Sequence, residues 1–481
     1  MTSIKKNYLY NLSYQLLQLF LPFFTMPYLS RILGAGGVGI YSYNFSIANY
    51  FVLFILLGLN NYGNREIAKV RSNQDSLSKV FWSIYFFQLS LGIFLSLCFV
   101  IYCFLFDSYS TIIWTMIPYV ISAIFDINWF FYGLEKFNLA ASRNIFIRLT
   151  ATFFIFILVK TINDLWIYCL INTVSLLVAQ LLMWPHLFKV IYFYKPSALE
   201  IKKHIIPNLY LFLTVISISL FKTMSKIMLG LLSLPEEVGY FEISEKFLFI
   251  PLALVNSLGV VMLPRISGLV NDSSYDSIKF LEKSLIFSIF MTSVVSFGIM
   301  GILKEFVPLF LGPGFEPIIS ILIILLPSTI FIAFANVIRT QYLLPLNMDK
   351  SYVFSTFLGA ILSIFLNVLL IPGFGAIGTA ISTLLSEIVV CSYQIFEVRK
   401  SLPIKKFFLI TFPLVFSGTI MFLILSQINF IETKSLSLVF KILTGSIIFI
   451  ISLTFYLTII DKSLYLLFRE NLISNNNCQI K

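Results

Sequence analysis

The chain has 481 residues, of which 59% are hydrophobic and only 11% are charged. A soluble domain of this size carries about a quarter charged residues, so the composition excludes a soluble protein and indicates a polytopic membrane protein. The net charge of +11 is also found in nucleic-acid-binding proteins, so the placement of the basic residues has to be tested against that class.

The hydropathy pattern predicts about fourteen transmembrane helices, because a helix needs about 20 apolar residues to cross a hydrocarbon core. An even number of spans places both termini on the same side of the membrane. The predicted spans are 8–30, 40–62, 80–106, 111–133, 141–160, 165–188, 208–231, 240–262, 284–304, 317–344, 351–371, 376–397, 407–427 and 437–460.

The basic residues indicate the orientation. Most of the 33 Lys and Arg residues fall in segments and helix ends that face the cytoplasm if the N-terminus is inside. The positive-inside rule describes this skew, so we expect both termini to be cytoplasmic. The net charge then reflects topology and contact with the lipid bilayer, and nucleic acid is not an expected partner.

Polar side chains follow one face of the first predicted span. Asn11, Gln15 and Gln18 are spaced by four and three residues, which places them on one side of a helix. They either hydrogen-bond to a neighbouring helix or line a polar cavity.

Two acidic residues lie inside predicted spans. Asp126 is near the inner end of the fourth span, and Glu387 is near the middle of the twelfth. Acidic residues at membrane depth carry a free-energy cost and usually mark an ion pathway or pair with a cation. Each of the two is therefore either an ion-coupling residue or a structural counter-ion.

Two lysines, Lys222 and Lys226, lie four residues apart on one face of the seventh predicted span. Glu242 and Glu245, at the start of the next span, are available to neutralise either lysine. Each lysine either forms an internal salt bridge or binds an anionic ligand, and the salt bridge is favoured for Lys226.

The longest connection, residues 189–208, is basic and amphipathic and follows the sixth span. We expect it to be a cytoplasmic helix that lies on the inner leaflet. It separates a first six-helix bundle, 1–188, from a second, 209–400, and residues 401–481 add two transmembrane helices and a cytoplasmic tail. Paired bundles with the substrate between them are a common transporter plan.

A faint internal repeat favours two related halves. Two pairs of identical residues, Gly39 with Gly239 and Arg65 with Arg265, are each separated by 200 positions. Each of the two glycines follows a valine. Few other residues are identical at this offset, so the repeat supports the division only together with the number of spans.

No enzyme signature is found. The sequence has no Walker loop, no HExxH motif and no nucleophile elbow, which excludes ATP-driven transport within this chain. The five cysteines lie in apolar runs or in the tail, at spacings that suit neither a disulfide framework nor a zinc site. We therefore expect no enzymatic activity, no metal and no cofactor.

Several stretches, in a fixed order along most of the chain, carry a resemblance to a known family. They are PYLSRILGAGGVGIYSY (27–43), LGLNNYGNREIAKVR (57–71), FDINWFFYGLEKF (125–137), EEVGYFEISEK (236–246), NSLGVVMLPRISGL (256–269), LGPGFEP (311–317), TQYLLP (340–345) and LNVLLIPGFGAIGTAIST (366–383). In these residues the chain resembles the polysaccharide repeat-unit flippases. These are the Wzx-type O-antigen and capsule exporters of the multidrug/oligosaccharidyl-lipid/polysaccharide exporter superfamily.

The resemblance implies an all-α fold with two six-helix bundles around a central, often cationic cavity. It also implies a substrate made of a short oligosaccharide on undecaprenyl diphosphate. The chain departs from the family at two positions. Ser225 stands where an acid commonly precedes the lysine, and Arg339 stands where the residue before TQYLLP is often small. We therefore expect a more positive cavity than usual and do not transfer an ion-coupling site from the family.

The expected function is that of a flippase that moves this lipid-linked oligosaccharide across the bacterial cytoplasmic membrane by alternating access, for capsule or O-antigen-like polysaccharide. Four cations would offset the diphosphate charge, which is too costly to carry bare through hydrocarbon. They are Arg31, Lys222, Lys226 and Arg339. The Asn/Gln face of the first span would hydrogen-bond to the sugar. A polysaccharide polymerase and a chain-length regulator are further expected partners.

Two other functions are compatible with a polytopic membrane protein of this kind. A multidrug or other lipid-linked precursor exporter would have the same fold, but a cationic cavity disfavours cationic drugs. A membrane-embedded glycan polymerase would be expected to carry a large outer loop, and the predicted outer loops are short.

Overall fold

The computed structural model describes residues 2–106, 110–269, 274–346, 348–428, 433–456 and 458, which are mostly helical. The helices are α1 (Thr2–Leu56), α2 (Leu59–Val70), α3 (Gln74–Leu105), α4 (Ser110–Trp114), α5 (Ile117–Ile124), α6 (Asn128–Gly133), α7 (Phe137–Leu158), α8 (Leu165–Leu181), α9 (Trp184–Leu187), α10 (Ala198–Lys202), α11 (Ile205–Lys222), α12 (Met224–Leu232), α13 (Pro235–Leu269), α14 (Ser274–Phe310), α15 (Pro317–Leu325), α16 (Ser328–Ile338), α17 (Asp349–Val398), α18 (Ile404–Gln427) and α19 (Lys434–Phe455). A 3₁₀ turn, Ile162–Asp164, precedes α8, and a π-helical segment, Arg339–Leu343, follows α16.

The two longest helices, α1 and α17, are each broken at a glycine. Gly34 has a φ of 65° and Gly375 a φ of 52°, and both have non-helical ψ values. Glycine adopts positive φ readily because it has no Cβ. Each break therefore redirects the chain without a loop, so that α1 covers most of the first two predicted spans and α17 covers the eleventh and twelfth.

Ten helical stretches among the described residues are long and apolar enough to cross a membrane. Two of them, Phe20–Val70 and Asp349–Val398, have 51 and 50 residues, which is more than twice the length that a bilayer requires. The predicted spans 208–231 and 240–262 coincide with α11–α12 and α13, which are not among the ten. The all-α polytopic fold is confirmed, and the count of about fourteen spans stays a prediction.

Large apolar side chains cover the outside of these helices. Phe94, Phe104, Phe153, Leu409 and Ile451 are all exposed. In water, apolar patches of this kind would drive association, whereas in a bilayer the same side chains face hydrocarbon. The exposed surface thus agrees with the hydropathy of the sequence.

The chain divides by packing into two compact units, Met1–Glu242 and Ile243–Lys481. In the first unit, α12 packs on α1 and α11 packs on α2. In the second unit, α14 packs against α16, α18 and α19. This grouping places α11 and α12 with the N-terminal helices, and the division into bundles at residues 189–208 stays a prediction.

The prediction of a helix over residues 189–208 is wrong. Residues 191–197 form no helix, and within 188–204 only Ala198–Lys202 is helical. Pro196 has no backbone N–H and disfavours helical φ/ψ values at Lys195, so a continuous helix is interrupted there. Ser197 then begins the short helix by exchanging hydrogen bonds with Glu200 in a capping box.

Residues 189–204, which we call the strap, are fixed to the start of α3. The Trp82 indole donates a hydrogen bond of 2.8 Å to the carbonyl oxygen of Tyr192. The Lys79 ammonium lies 2.8 Å from the Glu200 carboxylate. Side chains of α3 therefore bind polar groups of the strap, including a backbone carbonyl that a continuous helix would have satisfied internally.

The two C-terminal helices are joined to α14 by ion pairs. Lys406 of α18 lies 2.7 Å from Glu282, and Lys441 of α19 lies 2.7 Å from Glu305. Because both glutamates belong to α14, this helix holds α18 and α19 in place within the second unit.

Candidate functional site

The start of α13 brings a carboxylate against Lys226 of α12. The Lys226 Nζ lies 2.6 Å from the Glu242 Oε2, and the two side chains are 20% and 18% exposed. Ser42 of α1 donates its hydroxyl to the same carboxylate oxygen at 2.8 Å. The site is therefore a partly buried ion pair whose carboxylate also accepts a hydrogen bond from a hydroxyl group on a third helix.

In this structure the Lys226 ammonium pairs with the Glu242 carboxylate, and the same ammonium group could bind another anion. An ammonium group in partly dry surroundings needs an anionic partner, and phosphate oxygens accept charge-assisted hydrogen bonds as carboxylate oxygens do. The structure pairs Lys226 with one of the two glutamates that the sequence offered. Its role toward a substrate stays a prediction.

The same helices approach each other through their backbones. A Cβ added to Gly39 of α1 would collide with the carbonyl oxygen of Pro235, and one added to Gly239 of α13 would collide with that of Ala35. Backbones this close require glycine at the crossing, as small residues do in many membrane helix pairs. The close approach positions the start of α13 for the contacts of its carboxylate.

Asp126 lies where the fourth predicted span is interrupted, between α5 and α6. Its Oδ1 accepts hydrogen bonds from the backbone and side-chain N–H groups of Asn128, at 2.9 and 2.7 Å. Asn128 in turn donates to Gln180 at 3.2 Å and accepts from Arg143 at 3.0 Å. These contacts stabilise the start of α6, and a role of Asp126 in ion coupling stays a prediction.

Arg339 begins the π-helical segment in the second unit. Its guanidinium lies 5.2 Å from the centre of the Tyr352 ring, a distance at which a cation is attracted to a ring face. Glu387 is half-buried in α17. The structure thus gives Arg339 an aromatic neighbour, and the substrate role of Arg339 and the coupling role of Glu387 stay predictions.

Gln341, which was not among the residues predicted from the sequence, lies in the same π-helical segment. It is 3% exposed, and neither polar atom of its side chain has a hydrogen-bond partner among the described residues. Buried amides are normally satisfied, and π-helical turns occur often at functional sites. The signal available in the sequence was its position in the TQYLLP stretch.

The remaining predicted site residues lie in the first unit. Arg31 is exposed on α1, shortly before the break at Gly34. The side chains of the other four lie outside the described part of the structure, although their backbones belong to helices. These four are Asn11, Gln15, Gln18 and Lys222.

A cavity of about 400 Å³ lies in the second unit, among α14, α16, α17 and α18. Its walls are mostly aromatic and aliphatic, with Phe331, Phe334 and Phe412 among them. The described residues that line it carry no formal charge at neutral pH, so the cavity suits a hydrocarbon chain better than a sugar or a phosphate.

Comparison with known sequences gives three matches over long stretches. A family model described as "Polysaccharide biosynthesis protein" matches residues 4–270. A protein of Escherichia coli (strain K12) described as "Putative O-antigen transporter" is 26% identical over 405 residues, which cover 83% of this chain and 97% of that protein. A protein of Shigella dysenteriae with the same description is 23% identical over 395 residues, which cover 79% of this chain and 96% of that protein.

Two solved structures share the fold. The lipid II flippase MurJ in an inward closed conformation superposes with a TM-score of 0.66 at 17% identity, covering 91% of this chain and 99% of that one. A multidrug resistance MATE family transporter of the MOP superfamily, facing inward, gives 0.55 at 12% identity, covering 79% and 97%. At these identities the likeness establishes the helical exporter fold alone.

Proposed function

Because this chain belongs to the polysaccharide biosynthesis protein family, we propose that it is a flippase for lipid-linked oligosaccharides. It moves undecaprenyl-diphosphate-linked repeat units across the bacterial cytoplasmic membrane by alternating access, for a capsule or O-antigen-like polysaccharide. The observation that carries the proposal is the similarity to the Escherichia coli relative over 97% of that protein's length.

We assign this activity to about fourteen spans, arranged as two six-helix bundles around a central cavity with a C-terminal helix pair. The bundles comprise 1–188 and 209–400, and both termini are cytoplasmic. The distribution of Lys and Arg along the sequence supports this orientation.

The diphosphate is the most difficult part of the substrate to move, because a bare anion is strongly disfavoured in hydrocarbon. Lys226 is suited to offset its charge, since its ammonium already binds a carboxylate in a partly buried site. Arg31, Lys222 and Arg339 supply further positive charge. Asn11, Gln15 and Gln18 hydrogen-bond to the sugar, and Asp126 or Glu387 couples transport to an ion gradient.

A multidrug exporter is the second candidate, and the fold shared with the MATE transporter favours it. The cations assigned to the cavity count against it, because they would repel the cationic compounds that such a protein would have to bind. A glycan polymerase has less support, since the relatives reported above are described as transporters.

Reconstitution tests the proposed function. Liposomes that contain the purified chain and a polyprenyl-diphosphate-linked oligosaccharide should transfer the sugar between leaflets faster than protein-free liposomes. Lys226→Gln should slow the transfer, whereas Lys304→Gln, at an exposed lysine of α14, should not. A wild-type protein that exports a cationic dye but leaves the lipid-linked sugar in place would contradict the proposal.

A further inference from the structure

Residues of α1 and of the start of α13 meet in pairs that share one offset. Ser42 and Glu242 are separated by 200 positions, and Gly39 and Gly239, the glycines of the internal repeat, are separated equally. Contacts that repeat at one offset on successive helical turns require the two segments to run parallel and in register. The third such pair is Gly36 and Glu236.

The carboxylate of Glu242 connects three helices at this contact. It belongs to α13, it accepts the hydroxyl of Ser42 from α1, and it lies 2.6 Å from the ammonium of Lys226 on α12. The glycine crossing beside it places the backbones of α1 and α13 in direct contact. The polar contacts of Glu242 therefore help to hold the start of α13 against α1 and α12.

We propose that Glu242 is an internal substitute for the anionic group of the substrate. This inference rests on the proposed function. Glu242 occupies Lys226 between transport events, and the diphosphate displaces it when the substrate binds. The displaced carboxylate then faces the negative diphosphate in a partly dry site, where like charges repel strongly. The repulsion separates the start of α13 from α1 and opens the Gly39–Gly239 contact.

The exposure of the pair fits an exchange of partners. Both side chains are about one-fifth exposed, so an incoming anion can reach the ammonium without first crossing a packed core. A fully buried pair would resist such an exchange, because separating it leaves charges without compensation. When the diphosphate leaves, Glu242 again accepts the Ser42 hydroxyl and pairs with Lys226, which closes the contact.

Binding of farnesyl diphosphate to the purified full chain in detergent tests the exchange. Glu242→Gln should bind this probe about three- to tenfold more tightly, because the internal competitor has lost its charge. Lys226→Gln should bind it more weakly, and the double variant should match Lys226→Gln. Glu316→Gln, which neutralises an exposed glutamate just before α15, is the matched control and should bind like the wild type.

The binding results distinguish a failure of the exchange from a failure of the proposed function. Unchanged or weaker binding by Glu242→Gln, with normal binding by the wild type, would overturn the exchange and leave the proposed function intact. Absence of binding by the wild type, together with no transfer of lipid-linked sugar in liposomes, would overturn both.

A cross-link tests the opening without altering Glu242. Cysteines placed by Gly36→Cys and Glu236→Cys should form a disulfide on oxidation, because a Cβ on Gly36 would lie 3.8 Å from the Glu236 Cγ, whose place a cysteine sulfur would take. The disulfide should stop transport, a reductant should restore it, and farnesyl diphosphate should slow its formation. Transport that continues with the disulfide closed would show that the contact is static and would overturn the proposal.

Discussion

Two lysine–glutamate pairs of almost equal length lie in different surroundings. Lys226 and Glu242 are 2.6 Å apart with side chains 20% and 18% exposed, whereas Lys441 and Glu305 are 2.7 Å apart with side chains 0% and 11% exposed. The distance between the charged atoms does not distinguish the pairs. Their access to solvent or to another ligand does.

Burial determines what each pair can do. Removing one partner of a buried pair typically costs about 3–5 kcal/mol, whereas an exposed pair contributes about 0–1 kcal/mol. In addition, the second carboxylate oxygen of Glu305 has no hydrogen-bond partner among the described residues, so that Lys441 carries most of its compensation. Lys441–Glu305 is therefore a permanent attachment of α19 to α14, and Lys226–Glu242 is an exchangeable contact.

The largest effect is expected for Lys441→Met. This change leaves the Glu305 carboxylate buried without its cation, so the free energy of unfolding should fall by about 3–5 kcal/mol. Thermal unfolding of the purified protein in detergent, followed by tryptophan fluorescence, measures the loss. The double variant with Glu305→Met should recover most of the stability, and a single variant as stable as the wild type would contradict the buried attachment.

A smaller stability effect and a larger transport effect are expected for Lys226→Gln. Because the pair is less buried than Lys441–Glu305, the free energy of unfolding should fall by less than it does for Lys441→Met, whereas transfer of lipid-linked sugar should be strongly reduced. Lys226→Arg keeps the charge and should retain part of the transport. If Lys226→Gln lost as much stability as Lys441→Met, the distinction between the two pairs would be wrong.

A third case is His204, a buried titratable group at the end of the strap. Its Nδ1 lies 2.7 Å from the Tyr62 hydroxyl, and burial lowers the pKa of His204 below its ordinary value of 6.5. The unfolded chain therefore takes up a proton that the folded chain resists, and stability falls as the pH drops through 6.5 toward the folded pKa. Unfolding temperatures measured from pH 7.5 to 5.5 should decline less for His204→Gln, and an equal decline in both proteins would exclude this residue as the cause.

The smallest effect is expected at a more exposed pair, Lys79 of α3 and Glu200 of the strap, whose side chains are 52% and 26% exposed. The hydrogen bond from Lys79, together with the backbone N–H of Ser197, lowers the pKa of Glu200 to about 2. Its contribution is complete above the ordinary pKa near 4.5 and is lost only as the pH falls toward about 2.

Glu200→Gln should therefore speed hydrogen exchange in residues 189–204 and leave global unfolding and transport unchanged. In the wild type, the relative protection of this stretch should be the same at pH 8 and pH 5. A loss of transport in the variant would give the strap a larger role than its exposure allows.

Composition, hydropathy and a few ordered motifs were enough to identify the class of the protein and its family. Composition and the length of apolar stretches do not depend on tertiary contacts. The 59% hydrophobic and 11% charged residues therefore indicated a membrane protein, and apolar stretches of about 20 residues indicated helices that cross the membrane. The ordered stretches such as PYLSRILGAGGVGIYSY and LGPGFEP led to the same family that the matching model over 4–270 establishes. The sequence also offered two glutamates to Lys226 without choosing between them.

The partners of individual charged and polar side chains became known only from the tertiary structure. Glu242 lies against Lys226 because the glycine crossing sets the position of the start of α13 on α1. Pro196 already disfavours a continuous helix in the strap, but only the fold shows that Trp82 and Lys79 of α3 bind polar groups along it. Lys441 and Glu305 are 136 positions apart and give no local signal. Side-chain pairing depends on how helices pack, and periodicity along one helix contains no information about the helix that it will meet.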